Sequence, residues 1–158
     1  MLTIHEATIA RAWNVQGDPS RMGLALPGPN AVTRANGAAI LWLGPRSWLF
    51  IGERVDAAGG VAFDVSASRV AWTVRGDAAK RLVNKHCPLD LRTPAFPPGT
   101  CAQSVFGQVN VLCYRHLARD GFTLMVARSF AQDVQHRIEA SAAQYGFDVL
   151  APRPFAAD

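Results

Sequence analysis

Between residues 68 and 150 the spacing of apolar residues changes period several times, and the order of those changes limits the folds open to the chain. SRVAWTVR (68–75) alternates: Val70, Trp72 and Val74 point one way, and Arg69, Ala71, Thr73 and Arg75 the other, as in a half-buried strand. Gly76 breaks the run, and Asp77 stands where an N-cap belongs before AAKRLVNKH. Ala79, Leu82 and Val83 share one helical face there, and Pro88 ends the helix near His86 by disfavouring helical geometry in the residue before it. CAQSVFGQVNVLCYRH (101–116) reads as one long strand with a bulge or bend at Gly107. LARDG (117–121) is a turn and FTLMVAR (122–128) the return strand. Ser129 with Gln132 reads as a capping box, and Phe130, Val134 and Ile138 as a buried helical stripe that Tyr145 extends. Gly146 is placed to end that helix, before a short strand FDVL (147–150). Strand, helix, strand, strand, helix, strand is the ferredoxin-like βαββαβ order. It predicts an α+β fold, an antiparallel sheet with helices on one face.

The N-terminal half is less explicit. Residues 1–20 carry no clear element, and NVQGDPS (14–20) is a turn cluster. LALPGPNAV (24–32) reads as an extended connection. AAILWLG (38–44) and SWLFIGE (47–53) form an antiparallel β-hairpin around Gly44-Pro45-Arg46, which either joins the main sheet or starts a second small layer. Asp56 to Gly60 is a loop. The expectation is one domain over 1–158, with 1–20 an N-terminal segment and 151–158 a flexible tail.

Composition narrows the function classes. Hydrophobic residues make up 49%, enough for a real core, yet no apolar run has the length of a membrane helix. No secretory signal is visible at the start. Three cysteines, Cys87, Cys101 and Cys113, suit a reducing, cytoplasmic setting better than a disulfide scaffold. The net charge is +4, and 14 of the 16 basic residues are arginines scattered along the chain, without the dense stripe of a nucleic-acid footprint.

No catalytic constellation emerges. His86, Cys87, Cys101, Cys113 and His116 lack the paired spacing that zinc requires; only Cys113 and His116 are suitably spaced, and on a strand they face opposite ways. Cys87 follows a helix end, which disfavours a thiolate, so its neighbour His86 does not make it a nucleophile. Asp64, Ser66 and Ser68 read as turn and cap residues. There is no serine elbow and no phosphate loop. Trp13, Trp42, Trp48 and Trp72 read as core aromatics, with a ligand pocket as the other reading.

The proline-rich crossing carries a resemblance. FDVSASRVAWTVRGDAAKRLVNKHCPLDLRTPAFPPGTCAQSVFGQVNVLCYR, followed by DGFTLMVARSFAQDV and preceded by LGPRSWLFIGE, resembles the gamma subunit of heterotetrameric sarcosine oxidase over about residues 40–146. The CPLDL…AFPPG…CAQ element is its most specific part. The resemblance implies a reduced form of the aminomethyltransferase folate-binding fold. It implies partners, the alpha, beta and delta subunits, in an assembly that oxidises sarcosine to glycine. The one-carbon unit passes to tetrahydrofolate and hydrogen peroxide is released. FAD, FMN, NAD and tetrahydrofolate belong to the whole complex. It transfers no catalytic, cofactor-binding or metal-binding residue to this chain. A stand-alone folate- or pterin-binding protein, or an unrelated ferredoxin-like module that self-associates, are the competing readings.

Four prolines, Pro88, Pro94, Pro97 and Pro98, lie between residues 85 and 104. They make a stiff crossing from helix to strand, with Leu89 and Leu91 anchored in the core and Gly99 allowing the turn. Phe96, Pro97 and Pro98 are its expected partner contacts.

Overall fold

A computed structural model describes residues 1–35, 37–53, 59–118 and 120–158. Two sheets stack face to face, and two short helices cover the far side of the larger one. Among the described residues the strands are β1 (Leu2–Thr8), β2 (Ala12–Gly17), β3 (Val32–Ala35), β4 (Ala38–Gly44), β5 (Ser47–Ile51), β6 (Gly60–Asp64), β7 (Arg69–Arg75), β8 (Cys101–Phe106), β9 (Val109–Arg115), β10 (Gly121–Ala127), β11 (Phe147–Val149) and β12 (Arg153–Pro154). The helices are α1 (Ala79–Asn84) and α2 (Ala131–Ala142). The larger sheet has the order β11-β1-β7-β10-β9-β8, with β12 also on β1; the smaller has β3-β4-β5-β2-β6.

The α+β class holds, but the strand order departs from the ferredoxin-like expectation. Residues 101–116 are two strands, because Gly107 turns the chain back rather than bending it. Phe106 pairs with Val109, which leaves Gly107 and Gln108 as a two-residue turn, and Gly107 has φ 64°. A Gly-Gln pair lacks the usual Asn-Gly signature of such a turn, so the break is easily read as a bulge.

The N-terminal segment holds two strands, and β1 is an interior member of the larger sheet, antiparallel to β7 and parallel to β11 and β12. The expected hairpin is present as β4 and β5, and it belongs to the second sheet. The loop expected at Asp56 to Gly60 falls mostly outside the described residues, and Gly60 itself opens β6. The tail does not hang free: β12 pairs with Ala7 and Thr8, Ala157 is buried, and Asp158 is bonded to the larger sheet. The edge of β1 offers unpaired backbone groups, and the tail satisfies them.

Neither helix is capped by a side chain. Ala78 and Phe130 occupy the N-cap positions, not Asp77 and Ser129. Backbone turns replace them: Ala79 N–H donates to the Gly76 carbonyl, and a 3-10 turn over Arg128–Phe130 leads into α2. That turn leaves Phe130 exposed, so the buried stripe of α2 is Val134, Ile138 and Ala142. Gly146, at φ 72°, ends the helical segment as its position predicts.

Three clusters make the core. Ala79, Leu82 and Val83 of α1 and Val134, Ile138 and Ala142 of α2 pack on Val70, Trp72, Val74, Phe122, Leu124 and Val126. Each large side chain buried there contributes about 1.5–3 kcal/mol. Leu41, Leu49, Ile51, Leu112, Tyr114 and Met125 fill the space between the sheets. Trp48, Phe50, Ile40 and Met22 close the outer face of the smaller sheet, where Trp48 Nε1 donates to the Pro27 carbonyl at 3.2 Å.

Candidate functional site

The face of the larger sheet turned toward the smaller one becomes polar at one end. Register sets His5 of β1 opposite Thr73 of β7, Thr73 opposite Thr123 of β10, and Thr123 opposite Tyr114 of β9. Arg75 lies two residues along β7, and His116 follows β9 directly. Strand alternation puts these side chains on the face opposite Val74 and Leu124, so the polar row comes from the same period that builds the apolar core.

The row is joined by hydrogen bonds. His116 Nδ1 lies 2.5 Å from Asp158 Oδ1, His116 Nε2 lies 2.7 Å from Thr123 Oγ1, and Thr123 Oγ1 lies 2.7 Å from Thr73 Oγ1. Asp158 also accepts from Arg75 NH2, at 3.0 Å on Oδ1 and 3.3 Å on Oδ2. An ionised carboxylate only accepts, so Nδ1 of His116 carries the hydrogen and Nε2 accepts from Thr123. Burial lowers the His116 pKa below 6.5, against the raising effect of the Asp158 bond, which keeps the ring neutral and the bonds in that order. Burial alone would raise the Asp158 pKa, but the bonds from His116 and Arg75 outweigh it and hold the carboxyl below its usual range.

Asp158, His116 and Thr123 share the connectivity of an Asp-His-hydroxyl triad, but Thr123 is 0% exposed in mid-strand and its oxygen is bonded to Thr73. Buried in this way, the hydroxyl links β7, β10 and the end of β9 through Thr73 and His116.

Beside the relay is a cavity of about 530 Å³, lined by Thr3, His5, Arg75, Arg153 and Asp158 among others. Of these residues, Arg75 NH1 and His5 Nδ1 are buried without a hydrogen-bond partner. Burial, then the charges of Arg75 and Arg153, lowers the His5 pKa. Ala157 and Asp158 also line a second cavity of about 470 Å³, with Thr33, Arg34 and Tyr114. Thr33 Oγ1 and the Tyr114 hydroxyl have no partner there, and burial pushes the Tyr114 pKa up to about 12. A larger concavity of about 660 Å³ runs along Gln103–Val105 and Asn110–Leu112. None of its lining residues carries a buried unpartnered side-chain atom.

The residues singled out in the sequence are dispersed. Cys113 lies in the helix-side core and Cys101 between the sheets, with Cys87 buried near α1; all three are free thiols. Burial raises the Cys113 pKa and takes that of Cys101 to about 11. His86 bonds Ser141 at 2.6 Å and packs on Phe106, away from His116. Among the described residues no three His, Cys, Asp or Glu side chains converge as a metal site. Asp64 Oδ1 accepts from the backbone and hydroxyl of Ser66, the turn chemistry expected of that stretch.

In the crossing, Leu91 is buried and Leu89 packs against the same core. Phe96 is 4% exposed within that core, so it is not a surface contact of this chain, whereas Pro97 and Pro98 are exposed. Arg115 pins the crossing, donating to Thr93 Oγ1 at 2.8 Å and to the Phe96 carbonyl at 2.6 Å. Gly99, at φ 84°, makes the turn into β8.

This arrangement of sheets and helices is that of the aminomethyltransferase-like folds. It superposes on the glycine cleavage system aminomethyltransferase T from Bartonella henselae with a TM-score of 0.65 at 9% identity, covering 94% of this chain and 47% of that one. It superposes better on a chain of the heterotetrameric sarcosine oxidase from Corynebacterium sp. U-96, solved in complex with pyrrole 2-carboxylate. There the TM-score is 0.79 at 22% identity, over 91% of this chain and 85% of that one. Residues 10–144 match the sarcosine oxidase, gamma subunit family, and the chain belongs to it. A sarcosine oxidase subunit gamma from Arthrobacter sp. is 36% identical over 51% of this chain and 45% of its own length. Another, from Corynebacterium sp. strain P-1, is 27% identical over 82% of this chain and 70% of its own. The match to the first thus spans less than half of that relative.

Proposed function

We propose that this chain is the gamma subunit of a cytoplasmic sarcosine oxidase assembly and that it serves there as a structural component. The family match over residues 10–144 carries the reading. The shared fold with a chain of the heterotetrameric enzyme supports it. In this reading alpha, beta and delta subunits surround the chain. The complex demethylates sarcosine oxidatively to glycine, passes the one-carbon unit to tetrahydrofolate and releases hydrogen peroxide. FAD, FMN, NAD and tetrahydrofolate are held by the other subunits.

A structural role fits the chemistry of the described residues: the hydroxyl of the triad-like relay is sealed in a strand, and the Cys101 and Cys113 thiols are buried and pushed toward the neutral form. Exposed Pro97 and Pro98, held stiff by Arg115, form a preordered edge for a partner subunit that costs little entropy to dock.

Co-expression with candidate alpha, beta and delta chains tests the proposal. A yellow, stoichiometric complex that fails to form without this chain is expected. A full flavin-containing complex assembled without it, or this chain eluting colourless and alone, overturns it.

A further inference from the structure

The inner faces of the two sheets are left uncovered at one corner. Register sets Arg69, Ala127, Asn110 and Val105 in one row across β7, β10, β9 and β8. Alternation puts this row on the same face as Ala71, Met125 and Leu112, which the smaller sheet covers. The row lies beyond that cover: Ala127 and Asn110 are exposed, and Arg69 and Val105 half-buried, along the concavity of about 660 Å³. The smaller sheet overhangs in the same way. Val61 and Phe63 pair with Gln16 and Asn14 and so share the inward face of Ala12, yet they are 56% and 53% exposed. A turn closed by Ser68 N–H on the Val65 carbonyl joins β6 to β7 and brings the two surfaces to one corner.

Arg69 gives the corner its sign. Its guanidinium makes no hydrogen bond or ion pair among the described residues, and none of its nitrogens is sealed from solvent. Partial burial lowers its pKa, with no carboxylate among the described residues to offset that. A partner that covered Val61 and Phe63 would strand this cation unless it brought an acceptor. We propose that the corner docks an acidic segment of a partner subunit, with apolar side chains on Val61 and Phe63 and a carboxylate on Arg69. A second copy of this chain fits less well, because a two-fold contact there sets Arg69 against Arg69 between molecules of net charge +4 each. The inference rests on the assembly reading and names a docking surface besides Pro97 and Pro98.

Pull-down of the tagged full chain, co-expressed with candidate alpha, beta and delta chains, tests it, read as flavin absorbance recovered per tagged chain. Arg69→Glu should lower recovery about tenfold, through a lost ion pair and a new repulsion. Phe63→Ser should lower it about fivefold, as for a lost apolar anchor. Phe130→Ser, at an aromatic of similar exposure beside α2, should leave it unchanged. Raising sodium chloride to about 0.5 M should cut recovery with the parent chain and change it little with Arg69→Gln. The Tm of each isolated variant checks its fold, and Phe63 is exposed enough that Phe63→Ser keeps the fold should Arg69→Glu not. Parent-level recovery in both Arg69→Glu and Phe63→Ser overturns the inference and leaves the assembly reading intact. Loss with Phe63→Ser alone overturns the acidic partner. No flavin recovered with the parent chain overturns the assembly reading, and this inference with it.

Discussion

The two faces of the larger sheet are cut from the same strands and carry opposite chemistry. The helix-side face buries Val70, Trp72, Val74, Phe122, Leu124 and Val126, with Trp72 Nε1 its one unpartnered buried side-chain polar atom among the described residues. The inner face starts apolar at Ala71 and Met125 and ends polar at Thr73, Thr123, Arg75 and His5. Packing alone holds the first face. The second depends on hydrogen-bond partners, and three buried atoms there, His5 Nδ1, Arg75 NH1 and the Tyr114 hydroxyl, lack them. One face is therefore held by packing, while the other carries polar atoms whose burial without partners costs stability.

Substitutions separate the two. Phe96→Ala empties part of the helix-side core and is expected to cost about 3–5 kcal/mol in urea unfolding. A loss below about 1 kcal/mol would mean that the crossing is not part of that core. Thr123→Val on the inner face strands His116 Nε2 and Thr73, with an expected loss of about 1–3 kcal/mol. Combined with Thr73→Val it should cost less than the two single losses added together, because one orphan is removed; strict additivity would show that the relay is not coupled.

The polar face also makes stability depend on pH. The folded pKa of His116 lies below 6.5, so the unfolded chain binds more protons between the two values. That contribution is full above 6.5 and is lost as pH falls through the folded value; His5 and His86 act in the same sense. Asp158, depressed below 3.8, adds a further loss at lower pH. The urea midpoint should fall between about pH 7.5 and pH 5, and fall less in His116→Gln. The smallest effect belongs to Pro98→Ala, expected within about 0.5 kcal/mol of the parent in stability, yet weakening co-purification with partner subunits. Unchanged co-purification would remove the prolines from the interface.

Legibility in the sequence followed the same division. The helix-side face was readable because Val70, Trp72 and Val74 alternate cleanly, and Val134 and Ile138 keep helical spacing. β1 was not, because His5 and Glu6 interrupt its apolar alternation and its edge is completed by residues some 140 positions away. Arg75 and Thr73 were visible as the polar side of a strand, but their convergence with His116 and Asp158 depends on register and tail docking, which no local pattern encodes. Phe96 was not legible because a proline-rich setting suggests surface, whereas its ring packs in the helix-side core through contacts distant in sequence.

β1 is flanked by β7 on one side and by β11 and β12 on the other. A ribosome therefore releases the first strand long before its last neighbours are made. Until residues 147–154 emerge, one border of β1 keeps its N–H and carbonyl groups open, the condition under which strands pair with the wrong chain. Truncating the last few residues should raise aggregation during expression more than it lowers the equilibrium stability of whatever chain survives.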